Sequence, residues 1–309
     1  PPPGAVAGSV AADTNGDGYR NWRWLQDPRN PQWYGDDYHV MDEIMTHGLV
    51  AAVAWAYQNN RRLVSPGGVD YGERADFWRR YLKNDFEPKW QARNNVSDLR
   101  YLRVDLMHPY LQEIRYYHYM GLLLSDSGYT DRAEKLAEDL REELHEVPTD
   151  TGLAYVWGMG LRSKGSAVRY VQPTLYANYT VQTMQELALE GMAPFADQDF
   201  MTEVTRTVTS FVLDNGTEDF SIDIAGNKAI AGLDPAPHVA DDAAYERATR
   251  AHWSIMSYSS LAHYDATGAI EAVNEAVFRA MERSRSSAPQ RIYIPAAFVI
   301  SGLAGIEEQ

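Results

Sequence analysis

Several stretches of this sequence carry side chains whose types and spacing could do chemistry. His108 stands at the start of a helix-like run, and the positive end of a helix disfavours a second positive charge there. A neutral imidazole in that place can donate a hydrogen bond to a carboxylate. Arg169 precedes another helix-like run that carries Tyr176 and Tyr179 on one face. An arginine beside a tyrosine favours the phenolate and so can make the tyrosine a base. Tyrosines packed between helices would give the same spacing, and on the residues alone that plainer reading is preferred. Trp90, Arg93, Asn94 and Asn95 form a compact polar and aromatic set, and Tyr110 follows His108 closely. His118 shares its face with Leu111, Ile114 and Leu122 and reads as a packed core histidine.

Two acidic clusters suggest metals. Asp13, Asn15 and Asp17 occupy positions one, three and five of an EF-hand-like loop, with Gly18 permitting the turn. Position twelve is Trp24 in place of the bidentate Glu, so a standard EF-hand is excluded. A structural calcium with Asp27 as a substitute ligand competes there with an Asx-rich turn. Further on, His39, Glu43 and His47 are one helical turn apart, a spacing permissible for zinc. Carboxylates such as Asp36 and Asp37 also cap helix starts, and that plainer reading is preferred. The late group His252, Trp253, Tyr258, His263 and Tyr264 reads first as helix packing, since His252 and Tyr258 would point to opposite sides of one helix. Tyr258 is kept as a cleft-lining candidate.

The elements that must position these groups are mostly helices. Met41, Ile44, Met45, Ala52, Val53 and Ala56 recur at helical spacing after Asp37. Similar patterns predict helices over 72–84, 108–125, 130–146, 173–190, 197–213, 241–263, 267–283 and 295–303. Short strands are expected at 220–224 and 292–294. Two connections, 87–107 and 147–172, are longer than packing requires, and long ordered loops are often functional. So many helices joined by short loops suggest an all-α chain, an incomplete α/α toroid of helix pairs with long cleft-lining loops. Residues 1–30 read as an N-terminal linker with the calcium loop, and 31–309 as the toroid domain.

Composition narrows the partner. The chain has 309 residues, a net charge of −15 and no cysteine, so no disulfide, zinc-thiolate site or cysteine nucleophile is available. No apolar run approaches the roughly 18 residues of a membrane span. The acidic balance disfavours nucleic acid. From Thr151 to Gln185, however, there is no Asp or Glu, while Arg162, Lys164 and Arg169 are present. This stretch reads as a local cationic site for an anionic ligand. The 20 Tyr and 8 Trp suit a sugar cleft or a protein interface.

The Asn-bearing loop, the helix-leading His108 and the Arg169–Tyr176 pair before a long helix resemble the α/α-toroid alginate lyases of polysaccharide lyase families five and thirty-eight. The resemblance covers roughly the middle third of the chain. It implies an exported, monomeric enzyme that cleaves a 1,4-linked polyuronate by β-elimination, alginate (polymannuronate) first and glucuronan second. It implies Tyr176 as base and acid, with His108, Arg169 and Asn95 neutralising the uronate carboxylate and no cofactor required for catalysis. Trp90, Arg93, Asn94, Tyr110, Arg162, Lys164, Tyr179 and Tyr258 are the substrate-binding candidates, with Trp157 stacking on a sugar face. Family five places two Asn directly before the His, whereas Leu106 and Met107 precede His108, so the amide must come from elsewhere. The alternatives are a glycoside hydrolase using Asp36 or Asp37 with Asp105, and a non-catalytic carbohydrate-binding protein.

Overall fold

Helices dominate the computed structural model, which describes residues 9–12, 17–19, 21–24, 40–213, 221–226, 228–236, 252–272 and 274–275. The order is β1 (Ser9–Ala12), β2 (Asn21–Trp24), α1 (Val40–Asn59), α2 (Tyr71–Tyr81), α3 (Glu87–Asn94), α4 (Met107–Leu124) and α5 (Ser127–Arg141). It continues with β3 (Leu144–Thr149), β4 (Gly152–Trp157), α6 (Thr174–Leu189) and α7 (Gln198–Thr207), then a 3₁₀ segment, His252–Tyr264. Among the described residues no helix is long and apolar enough to cross a membrane.

The chain divides into two compact units. Unit 1 holds 1–104 and 112–133, and unit 2 holds 105–111 and 134–309. The division expected after residue 30 is not among these boundaries. In unit 1, α1 packs on α2 through small residues: Ala51, Ala54 and Ala75 are fully buried with Ile44. Asp70 caps α2 by accepting the Glu73 N–H at 2.9 Å. A π-turn over Leu82–Phe86 joins α2 to α3, whose first turn takes Pro88 at no cost in hydrogen bonds. The expected loop 87–107 therefore begins as a helix. It ends at Asn95, which adopts φ +51°, a conformation asparagine tolerates better than most residues.

The helix expected over 130–146 stops at Arg141. Pro148 cannot sit inside a helix, and the stretch pairs instead as an antiparallel hairpin, β3 against β4. Gly152, at φ +133°, makes the turn, and Thr149 Oγ1 closes it on the Gly152 carbonyl at 2.7 Å. The strand expected at 220–224 reduces, among the described residues, to one bridge between Pro173 and Asp223. The expected helix over 241–263 is described from His252 and is 3₁₀ there. The expectations for 292–294 and 295–303 lie outside the described residues.

A buried polar network ties unit 1 together. Glu43 and Lys89, 4% and 2% exposed, form an ion pair, and the Trp90 indole N–H donates to the same Glu43 oxygen at 3.0 Å. His47 contacts the Glu43 carbonyl through Nδ1 at 2.6 Å and the Tyr81 hydroxyl through Nε2 at 3.0 Å, and stacks on Phe86 at 4.0 Å. Burial lowers the His47 pKa to about 3, and lowers that of Lys89 against the opposing pull of Glu43. The zinc reading of Glu43 and His47 is thereby replaced: the carboxylate is an ion-pair partner and both imidazole nitrogens are engaged. His39, Asp36 and Asp37 lie outside the described residues.

Removing one member of a buried pair strands the other, so Lys89→Met should cost roughly 3–5 kcal/mol in urea unfolding. Because His47 is harder to protonate folded than unfolded, its stabilising effect is complete above about pH 6.5. Stability should then fall as pH drops toward about 3. A flat stability profile across that window would contradict the placement of His47.

Candidate active site

Three extended segments of unit 2 bring distant parts of the chain side by side. The run 158–161 lies in the middle, bridging antiparallel to Leu106 through Gly160 and to Val171 through Gly158. Its backbone is bonded on both sides: Met107 N–H to Met159 O at 2.9 Å, Leu161 N–H to Asp105 O at 2.8 Å, and Met159 N–H to Tyr170 O at 2.8 Å. The outer runs, 105–107 and 170–173, are therefore parallel to each other, and each leads straight into a helix, α4 and α6 respectively. Gly160 is required at this crossing, since a Cβ there would meet Ser166 Oγ at 2.4 Å and Val168 O at 2.5 Å.

That arrangement sets the first turns of α4 and α6 together. His108, the second residue of α4, and Tyr176, the third of α6, have ring centroids 4.9 Å apart at 36°. His108 is 5% exposed, and its Nδ1 is buried without a hydrogen-bond partner among the described residues. Burial lowers its pKa to about 4, so the imidazole is neutral at pH 7. The neutral state expected from the helix dipole is present, and its cause is desolvation. Tyr176 is half-buried and Tyr170 lies close by, its pKa raised by burial and then by Tyr176.

The start of α6 is held by several bonds. Thr174 N–H donates to Ile222 O at 2.8 Å, and its hydroxyl to Ser221 O at 2.7 Å. Tyr258, 1% exposed, donates its hydroxyl to Thr174 O at 2.9 Å. Expected as cleft-lining, Tyr258 instead braces the helix two residues before Tyr176. Trp157, expected to stack on sugar, is fully buried and donates its N–H to Gln172 at 2.5 Å.

Other candidates are also used internally. Tyr110 is 1% exposed and donates its hydroxyl to Leu136 O at 3.1 Å. In unit 1, Trp90 is sealed against Glu43, and the Arg93 side chain, 5% exposed, pairs with Asp17 at 2.7 Å. Asn94 donates its amide to Tyr101 O at 2.6 Å. Trp90, Tyr110 and the Arg93 side chain are buried and so do not present surfaces to a substrate, whereas Asn94 is half-buried. Asn95 is an exposed helix C-cap in unit 1, whereas His108 and Tyr176 belong to unit 2. Asp17, expected to bind calcium, gives one oxygen to the Tyr19 N–H and the other to Arg93. Asp13 and Asn15 lie outside the described residues.

The acid-free stretch keeps some of its charge on offer. Lys164 lies over the Tyr110 ring at 5.2 Å, and both Lys164 and Arg169 are exposed without an acidic partner among the described residues. Tyr179 is 44% exposed. Arg162 is drawn back to Glu142 O at 3.0 Å and to Glu143 at 3.6 Å. Glu143 also accepts the N–H groups of Arg162 and Ser163 at 2.9 and 2.7 Å. Burial pushes the Glu143 pKa up, but those hydrogen bonds outweigh it and hold the group below its ordinary value. Glu143 and Gln172 are the residues that sequence reasoning missed. Only the buried setting of each, invisible in a linear pattern, identifies them. His118 is buried as expected, yet neither ring nitrogen has a hydrogen-bond partner among the described residues.

No protein-family model, no curated protein and no solved structure matches this chain.

The site makes a direct prediction for NMR. His108 should titrate near pH 4, well below an ordinary histidine. Tyr176→Ala, by opening one face of the ring to water, should move that midpoint upward toward 6.5; an unmoved midpoint would separate the two residues.

Proposed function

We propose that this protein is a polysaccharide lyase that cleaves a 1,4-linked polyuronate by β-elimination, polymannuronate first and glucuronan second. The observation that carries the reading is the contact of neutral His108 with Tyr176 at the paired starts of two helices. The lyase resemblance in the sequence pairs these same residue types.

The chemistry explains the pairing. Removing the C5 proton of a uronate builds a second negative charge on a unit that already carries one. A neutral imidazole can hydrogen-bond the carboxylate and stabilise that charge as it grows. Tyr176, acting as base and then as acid, takes the C5 proton and returns it to the departing glycosidic oxygen as the C4–O bond breaks. Proton and electron pair are thereby balanced: the C5 electrons form the C4–C5 double bond, and the leaving oxygen gains the proton. Exposed Arg169 and Lys164 are available to neighbouring uronates, and Tyr179 to a sugar face.

The reading takes an incomplete α/α toroid as its frame and an exported monomer as its setting. The succession of helices from α1 to α7, with α1 packed on α2 and α6 on the 3₁₀ segment, supports a helical frame.

A polyuronate panel followed by ultraviolet absorbance of the unsaturated product tests the proposal. The wild-type protein should generate that signal. Tyr176→Phe should lower kcat by about 10²–10⁴ with its circular dichroism unchanged. New reducing ends without absorbance would point to hydrolysis, and full activity in Tyr176→Phe would end the assignment.

A further inference from the structure

We propose that Gln172 is a positioning residue which, through Thr180, sets the rotation of α6 and so holds the Tyr176 ring against His108. The inference rests on the reading of His108 and Tyr176 as the reactive pair, and adds a residue to it. Gln172 is fully buried within the extended run 170–173, two residues before the helix that the run feeds. Its Oε1 accepts two bonds, from Trp157 Nε1 at 2.5 Å and from Thr180 Oγ1 at 2.9 Å. Its Nε2 lies 3.9 Å from Met159 Sδ. Its backbone is tied as well: the N–H donates to Trp157 O at 3.1 Å, and the carbonyl accepts from Ile224 N–H at 3.3 Å.

A core position whose only task is to fill space is served by leucine, without the cost of desolvating an amide. An amide satisfied on both ends gives something leucine lacks, which is direction. Thr180 follows Tyr176 by four residues and therefore lies on the same face of α6, one turn on. Fixing the Thr180 hydroxyl onto Gln172 fixes the angle at which Tyr176 leaves the helix. The bonds made by Thr174 and Tyr258 act at the end of α6 and locate its start. The Gln172–Thr180 bond acts a turn further along and governs the rotation that those end contacts leave open. Its other partner, Trp157, ends β4, so the reference point is the hairpin and the middle run that also carries the strand before His108.

A matched pair of substitutions separates position from simple packing. Thr180→Val keeps the shape and deletes the hydroxyl, whereas Thr180→Ser keeps the hydroxyl. The first readout is the NMR titration of His108, which needs no substrate. In Thr180→Val the protonation constant of His108 should rise about tenfold as the Tyr176 ring moves off, a change of one pKa unit. Thr180→Ser should titrate like the wild type. Gln172→Met should reproduce Thr180→Val, and it decides the matter by the same criterion if Thr180→Val does not fold. On a polyuronate Thr180→Val and Gln172→Met should lose kcat about tenfold with KM unchanged, and Thr180→Ser should retain it. Wild-type titration of His108 in a folded Thr180→Val or Gln172→Met overturns the proposal. A wild-type protein without turnover on any polyuronate overturns the lyase reading instead, and the titration still decides the role of Gln172.

Discussion

Everything in the candidate site depends on the backbone pairing of residues 158–161 with 105–107 on one side and 170–172 on the other. These hydrogen bonds join the middle run to a segment far earlier in the chain and to one that follows it closely, and they force both outer segments to run the same way. Helices that follow parallel segments start at the same end. Two side chains placed in their first turns then meet without any long loop to carry them. Gly160 is the weak point of this arrangement, since any side chain there collides with Ser166 and the Val168 carbonyl. A small, mostly irregular set of pairings thus does the positioning among described residues that are mostly helical.

Two buried polar systems solve different problems. In unit 1, Glu43 with Lys89 and Trp90 satisfies charges that would be costly to leave alone in the interior. That network consumes several side chains that looked suited to binding sugar. In unit 2, Gln172 and Glu143 are uncharged or acidic anchors for backbone and neighbouring side chains, and they leave Tyr176, Lys164, Arg169 and Tyr179 facing outward to different degrees. Electrostatics near the site also differs from the linear picture. The acid-free stretch from Thr151 to Gln185 meets acids supplied by other segments: Glu143 at the Leu161–Ser166 turn, Asp223 beside Pro173 and Asp234 beside Tyr170. Arg162 is partly neutralised as a result, while Lys164 and Arg169 keep their charge available.

Much of the fold was legible because helices are local. The helical spacing after Asp37 is a short-range signal, although α1 buries Ile44, Ala51 and Ala54, while Val53 and Ala56 are exposed. The β3–β4 hairpin escaped the periodicity because its decisive residues, Pro148 and Gly152, lie just past the run expected as helix, in the stretch 147–172 read as a connection. The site was partly legible. His108 and Tyr176 were singled out by position at helix starts, and the helix dipole gave the right charge state for His108 from a secondary cause. Trp90, Arg93, Tyr110 and Tyr258 were chosen by residue type, and type does not reveal whether an aromatic or a guanidinium faces water or a buried carboxylate.

The sequence by itself determined that helices dominate, that thiol chemistry is absent, and which few residues could act as acid, base or anion-binding groups. Those properties follow from composition and from contacts within a turn or two of chain. Tertiary structure alone decided which of those residues meet. The contact of His108 with Tyr176, the burial that keeps the imidazole neutral, and the bond from Thr180 to Gln172 all arise from pairing between segments far apart in sequence. Desolvation is a property of the assembled interior, so no window along the chain contains it.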